Sequence, residues 1–192
     1  MPYPKEHKPR SSLRILDSAY RLFAWNGFDA VTIDDIMADA GMTRGAFYAH
    51  FSSKSDLYRA ALVHGSANSR IAQCNPARVS KKTWLKNLLK GYLHKDHLHG
   101  NSSPCPLAFL STDVAVREPQ VRKAYTRSFK GMNKIIAEYA RTYSTCGDRQ
   151  ILALTAMMIG GVAIARALDD AALTDDLLKS CLTEAERLLN LR

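Results

Sequence analysis

The spacing of apolar side chains constrains this chain more than any other feature. Leu, Ile, Val, Ala, Met and aromatic residues recur three and four positions apart along almost all of it, and no run alternates with period two around a turn signal. That period places apolar groups on one stripe of a helix, so an all-α fold is expected. About nine helices are predicted, four of them inside the opening 65 or so residues.

Capping residues and glycines set the boundaries. Leu13, Leu16, Ala19, Tyr20 and Phe23 form a first stripe that opens near Ser11 or Ser12 and stops at Gly27, since glycine enters the left-handed geometry after a helix without strain. Thr32 followed by Asp35 is a capping pattern ahead of Ile33, Ile36, Met37 and Ala40, and Gly41 ends that short helix. Thr43 is placed to cap the next helix, with Ala46, Phe47 and Phe51 inward. Ser53 with Asp56 repeats the pattern ahead of Leu57, Tyr58, Ala61 and Leu62. Beyond Asn75-Pro76 five more helices are predicted, over 81–97, 106–116, 119–143, 149–168 and 175–191. Pro106 and Pro119 suit first turns, and Asp148 and Thr174 are the expected caps of the last two helices.

The chain has 27 Lys+Arg against 18 Asp+Glu, a formal charge of +9, with 46% hydrophobic residues. That is a globular composition with a polyanionic partner suggested by its charge. The excess is uneven: residues 1–70 carry a net +2, residues 71–146 a net +9 and residues 147–192 a net −2. The amino terminus has no apolar leader, and the longest uncharged stretch, Gln150 to Ala165, ends at Arg166 short of a membrane span. A cytoplasmic protein without a membrane partner is expected. Four cysteines lack any C-x-x-C spacing, so neither a metal site nor a disulfide framework is indicated, and no cofactor is implied.

The segment from Thr32 to Leu57, TIDDIMADAGMTRGAFYAHFSSKSDL, has the organisation of a helix-turn-helix. Such a unit needs a short bracing helix, a glycine turn, and a second helix whose outward amino-terminal residues meet base edges in the major groove. Thr43, Arg44, Gly45, Tyr48 and His50 fall on that outward side. Arg44 can reach both acceptors of a guanine edge, while Thr43, Tyr48 and Lys54 are placed for phosphates. Gly45 and Ala46 keep the surface low. His50 reads equally as a capping or packing residue, and Thr32 as a helix start alone.

These residues resemble the TetR/AcrR-type one-component transcriptional regulators. The likeness runs from about Ser12 to Leu62 and rests on TIDDI (32–36), AGMTRG (40–45), FYAHF (47–51) and SKSDL (53–57). The resemblance implies a homodimer that binds near-palindromic double-stranded operator DNA, usually as a repressor, and is released by a small-molecule effector. It implies phosphate contacts at Thr32, Thr43, Tyr48, His50 and Lys54, and base-proximal roles for Arg44, Gly45 and Ala46. The domains read as a flexible arm (1–10), a helix-turn-helix domain of three helices (11–58) and a larger effector-binding and dimerisation domain (59–192).

In that second domain Lys82, Lys86, Lys90 and His94 recur every fourth residue on one predicted face. Trp84, Tyr92, Cys105, Phe109, Tyr125, Phe129 and Met132 are the candidate pocket residues, most of them core by spacing alone. Cys105 precedes a predicted helix, where free amides favour a thiolate. It reads either as a small packing residue or as an oxidant or electrophile sensor. His94, His97 and His99 form H-x-x-H-x-H without carboxylates to support a metal. Leu152, Met157, Gly160, Gly161 and Ile164, with Leu178, Leu182 and Leu189, are expected to form a dimer interface of two helices per subunit. An enzyme using Cys105 with a histidine is the competing class. No phosphate loop, H-E-x-x-H or G-x-S-x-G accompanies it, so the expectation is that the chain is not an enzyme.

Overall fold

The computed structural model describes residues 7–69, 79–99 and 104–191. Residues 1–6 of the expected arm, Cys74 and the Asn75-Pro76 linker lie outside the described residues. Among the described residues the fold is all-helical, with α1 (His7–Ala30), α2 (Ile33–Asp39), α3 (Arg44–Phe47), α4 (Lys54–Ala67), α5 (Lys81–Tyr92), α6 (Pro106–Phe109), α7 (Ser111–Ala115), α8 (Pro119–Ala140), α9 (Asp148–Ala165) and α10 (Ala171–Leu188).

The head is α1 to α3 closed over the start of α4. Ile15, Ala19 and Phe23 of α1, Ile36 and Met37 of α2, Phe47 of α3 and Leu57 of α4 are all buried. Burying a side chain of the Leu, Ile or Phe class contributes about 1.5 to 3 kcal/mol, so this apolar centre outweighs the poor propensity of two very short helices. The capping box at Thr32 forms in full. Its hydroxyl accepts the Asp35 amide at 3.1 Å and the Asp35 carboxylate accepts the Thr32 amide at 2.8 Å. Ser53 accepts the Asp56 amide at 3.0 Å in the same way.

α4 belongs to both halves. It packs on α1 through Phe23 and Tyr58, whose rings meet edge to face at 4.9 Å, and on α8 and α6 further along. In the larger half α9 packs on α10, α8 and α6, and α5 bridges α8 and α10. By length and composition α9 is apolar enough to cross a membrane. Ile151, Leu154, Met158 and Val162 bury one side of it within the protein.

Several boundaries differ from the sequence expectation. α1 begins at His7 rather than near Ser11, with Pro9 in its first turn, where a missing N–H leaves no carbonyl unpaired. Gly27, at φ +78°, breaks α1 as expected. The predicted 81–97 helix ends at Tyr92, and a 3-10 turn over Lys95–His97 follows, with His94 accepting the Asp96 amide. His94 therefore leaves the lysine row. The predicted 106–116 helix is two helices broken at Leu110, whose φ and ψ of −116° and 7° are not helical, so ten α-helices are described rather than nine. Thr43 occupies a cap position without a side-chain bond. Gly147 rather than Asp148 caps α9, its amide held by Gln150 at 2.8 Å, and Asp170 rather than Thr174 caps α10.

Candidate functional site

The turn between α2 and α3 is closed by two backbone bonds, from Gly41 to the Ala38 carbonyl at 3.0 Å and from Met42 to the Met37 carbonyl at 2.8 Å. The second needs a left-handed residue between helix and strand-like chain, and Gly41 supplies it at φ +62°. Arg14 of α1 donates to the Ala40 carbonyl at 2.5 Å, and Arg21 pairs with Asp39. Both arginines thus fasten α2 to α1.

α3 is a single turn. Phe47 is fully buried beneath it, which leaves Thr43, Arg44, Gly45 and Tyr48 exposed on the outside and Ala46 and His50 half-buried. Tyr48 is 61% exposed and braced edge-on against Phe47 at 5.0 Å. An aromatic ring held outward in this way presents an amphipathic group to solvent. Arg44 donates to Asp34 of α2 at 2.6 Å, and Tyr48 and then Asp34 raise its pKa. Asp34, an acidic residue in the first turn of α2, is paired with Arg44 by its outward place opposite the start of α3. Thr32 is exposed but its hydroxyl is engaged in the capping box. Lys54, at the start of α4, is half-buried with its ammonium 4.3 Å from the Phe28 ring centroid, and burial lowers its pKa.

A surface of this geometry offers a guanidinium fork, a phenol and a hydroxyl around a low glycine, beside a helix start that can approach a groove. The pattern of the bacterial regulatory proteins of the tetR family matches residues 15–61, the whole of this unit. The HTH-type transcriptional regulator AcrR of Shigella flexneri is 43% identical over 54 residues, a stretch that is 28% of this chain and 25% of AcrR. Over the full length, E. coli NemR in its reduced form has the same fold at a TM-score of 0.79 and 18% identity, covering 93% of this chain and 96% of NemR. A TetR transcriptional regulator from Chloroflexus aurantiacus gives a TM-score of 0.77 at 21% identity, covering 96% of each chain. Over residues 15–61 the head matches the tetR family of bacterial regulatory proteins. Sequence likeness to AcrR stops at the head, and this chain spans about a quarter of that relative; beyond it the kinship is one of fold.

The TetR/AcrR-type head meets its larger half at a charged junction that the sequence reading did not identify. Asp113 of α7 accepts the Phe28 amide at 3.0 Å and the Tyr58 hydroxyl at 2.7 Å with one oxygen, and Arg117 at 2.7 Å with the other. Arg117 also pairs with Asp29 at 2.7 Å, and stacks 4.4 Å from the Phe28 ring. Phe28 therefore has two cations over its ring, Lys54 and Arg117. Burial and the Asp113 bond push the Tyr58 phenol far up, while the Asp29 carboxyl is held below its ordinary range by Arg117. Ser55 adds a bond to Glu118 at 2.7 Å.

A cleft of about 310 Å³ runs along the seam of α4 and α8, lined by Val63, Ser66, Cys105, Leu107, Ala124, Gly131, Met132 and Ile135 among others. Of the pocket residues expected from the sequence, Cys105 and Met132 line it. Trp84 does not; it is stacked on Tyr139 at 4.2 Å inside the core. Tyr92, Phe109, Tyr125 and Phe129 are likewise absent from its walls, Tyr125 donating to the Leu107 carbonyl at 2.6 Å. The bulky stripe packs helix on helix, and the cleft opens where small residues leave room. Among the described residues Trp84 Nε1 has no hydrogen-bond partner. Burial raises the Cys105 thiol, and this outweighs the Tyr92 hydroxyl and the Ala108 and Leu107 amides that favour the thiolate. The amides at the start of α6 do favour the thiolate, but burial is the larger effect. His97 is buried and bonded to the Tyr92 carbonyl at 2.8 Å, not grouped with His94 and His99.

Of the expected interface residues, Leu152 and Ile164 are 48% and 55% exposed, and Met157, Gly160 and Leu182 are half-buried. Leu178, Leu189 and Gly161 are corrected. Leu178 and Leu189 are buried in their own protomer, and a Cβ on Gly161 would stand 3.0 Å from Cys181. Gly161 thus allows α9 and α10 of one chain to approach. The stripe periodicity could not tell the intrachain side of α9 from its outer side, since both are apolar.

The surface of α3 yields a prediction. Arg44→Ala is expected to weaken operator binding roughly ten- to hundredfold and relax preference at one base pair, measured by fluorescence anisotropy on single-base operator variants. Asp34→Asn, which only frees an exposed guanidinium, should change affinity by less than about threefold.

Proposed function

We propose that this chain is a dimeric, cytoplasmic transcriptional repressor that binds a near-palindromic operator and is released by a small-molecule effector, without enzymatic activity. The observation that carries the reading is the outward Thr43, Arg44, Gly45 and Tyr48 surface standing on a fully buried Phe47. Arg44 and Ala46 meet base edges; Thr32, Thr43, Tyr48, His50 and Lys54 hold phosphates, Lys54 after leaving the Phe28 ring. The effector occupies the α4 and α8 seam, where apolar walls and a few hydroxyls suit a largely apolar molecule. Its pressure on α4 reaches the head through Tyr58 and the Asp113 junction, turning one head relative to the other. A gel shift on DNA flanking the protein's own gene, at two or more salt concentrations, tests the reading. A discrete complex that persists against excess unrelated duplex is expected, and binding that is equal on both DNAs defeats it.

The dimer forms through the outer face of α9, where Leu152, Ala153, Ala156, Met157, Gly160 and Ile164 make a continuous apolar strip, with Leu182 of α10 beside it. Two such faces across a twofold place the recognition helices one turn of DNA, about 34 to 36 Å, apart. Ile164→Glu is expected to convert the dimer to monomer at micromolar protein in sedimentation velocity, with helical circular dichroism unchanged.

Thiol sensing at Cys105 is a second reading, favoured by the position of this residue on the cleft wall. Its resting form is the thiol, so modification there would be slow and would require an electrophile small enough to enter the cleft. If Cys105→Ser leaves release of DNA by quinones unchanged, the effector acts without the cysteine. An enzyme built on Cys105 has its groups in the wrong state, with the thiol raised and His97 bonded to a carbonyl.

A further inference from the structure

Among the described residues two arginines stack on aromatic rings, and one of them, Arg117, has carboxylate partners. Arg117, with its side chain 14% exposed, lies over Phe28 and binds Asp113 and Asp29. Arg166, just after α9, lies 3.6 Å from the Phe109 ring centroid and 5.5 Å from that of Trp25, two rings set edge-on at 5.1 Å. Among the described residues no carboxylate or carbonyl takes its guanidinium N–H groups. Asp169, three residues on, borders the same cleft without pairing with it, and Asp175 is taken by Lys95 at 3.7 Å. Burial lowers the Arg166 pKa and no neighbouring charge offsets it. A half-buried guanidinium is costly to leave unpaired, and an aromatic floor recovers only part of that cost.

The cleft it borders has a volume of about 400 Å³ and is walled by Trp25, Leu98, His99 and the Lys95–Asp175 pair. At about 30 Å³ for a water molecule it has room for roughly a dozen non-hydrogen atoms, far too small for a nucleic-acid duplex. A guanidinium stacked flat on a ring keeps its N–H edge free, and that edge matches a carboxylate through two parallel bonds. Asp169 and Asp175 on the rim oppose a doubly charged anion, while Leu98 and Trp25 offer an apolar wall. We propose that this cleft is a binding site for a small organic monocarboxylate, its carboxylate held by Arg166 and its apolar body against Trp25 and Leu98. The site is separate from the α4 and α8 cleft and does not depend on an effector binding there. Trp25 is two residues before the break at Gly27, so an occupant touches the end of the head's first helix as well as the start of α10.

The test uses the full chain carrying Trp84→Phe, which leaves Trp25 as its only tryptophan. Benzoate is titrated against its neutral analogue benzamide and against inorganic phosphate, reading Trp25 emission and the thermal midpoint. Benzoate should give a saturable change in emission and raise the midpoint, with benzamide roughly tenfold weaker or more and phosphate without effect. Arg166→Gln should weaken benzoate roughly ten- to hundredfold, and Arg166→Lys, which keeps the charge but loses the fork, by less. Asp175→Asn, which frees Lys95, should tighten it. Ala124→Leu, which fills the other cleft, should leave it unchanged. The proposal is overturned by no response to millimolar benzoate, by equal binding of benzamide, by phosphate binding more tightly than benzoate, or by wild-type affinity in Arg166→Gln. Circular dichroism of each variant separates loss of binding from loss of fold, and Arg166→Lys reports on the site should Arg166→Gln not fold.

Discussion

Replacing Asp113 by alanine should lower the stability of the folded chain by about 3 kcal/mol, one of the largest single-residue effects available outside the apolar core. Its carboxylate is 17% exposed and serves the Phe28 amide, the Tyr58 hydroxyl and Arg117 at once. Truncation leaves a backbone donor, a phenol and a guanidinium without their acceptor, whereas an exposed ion pair would contribute about 1 kcal/mol or less. Urea unfolding followed by circular dichroism measures the loss, and for a chain of this length the thermal midpoint should fall by roughly 6 to 12 °C. Asp113→Asn keeps one accepting oxygen and should cost about half as much. If Asp113→Ala melts like the wild type, the junction is ornamental and the head is held to the rest by α4 and the Trp25–Phe109 contact.

The second large effect concerns a residue with no side chain. Gly65 is buried in α4 against the Tyr20 ring, and a Cβ there would stand closer than 3.0 Å to three ring carbons. The ring cannot slide away, because the Tyr20 hydroxyl is bonded to the Pro104 carbonyl. Alanine gains about 1 kcal/mol of helix propensity over glycine, yet overpacking a well-filled core costs about 1 to 3 kcal/mol and more where nothing can yield. Gly65→Ala should therefore destabilise by about 2 kcal/mol, against the usual sign for this substitution in a helix. Adding Tyr20→Val should restore part of the loss, giving a coupling of opposite sign in a double-mutant cycle.

What could be read in the sequence was local. The capping box at Thr32 and Asp35, the Ser53 cap, and the stops at Gly27 and Gly41 each involve residues within four positions of one another, and each forms as expected. The start of α10 was misplaced because Asp169, Asp170, Thr174, Asp175 and Asp176 are all capping types, and only the fold chooses Asp170. The break at Leu110 has no glycine or proline to announce it; it follows from turning Asp113 toward Phe28 and Tyr58 while Phe109 faces Trp25. The lining of the α4 and α8 cleft is illegible for a related reason. Aromatic residues at helical spacing mark helix contacts, whereas the cleft lies where Ala124, Ser128 and Gly131 are small. Arg166 carries no sequence signal at all, since its lack of a partner is a property of the neighbours that the fold assembles around it.

The junction at Asp113 also bears on how the chain is made. Phe28 and Tyr58 lie 85 and 55 residues ahead of the carboxylate they share. At synthesis rates of about 5 to 20 residues per second, the head is complete for several seconds before Asp113 and Arg117 emerge. Throughout that interval Phe28 has neither its acceptor nor the Arg117 guanidinium, and the nascent head presents an aromatic face with an unsatisfied amide to the ribosome exit. The order of translation thus makes this face the one most in need of chaperone cover, and a head expressed without residues beyond 69 would keep it permanently.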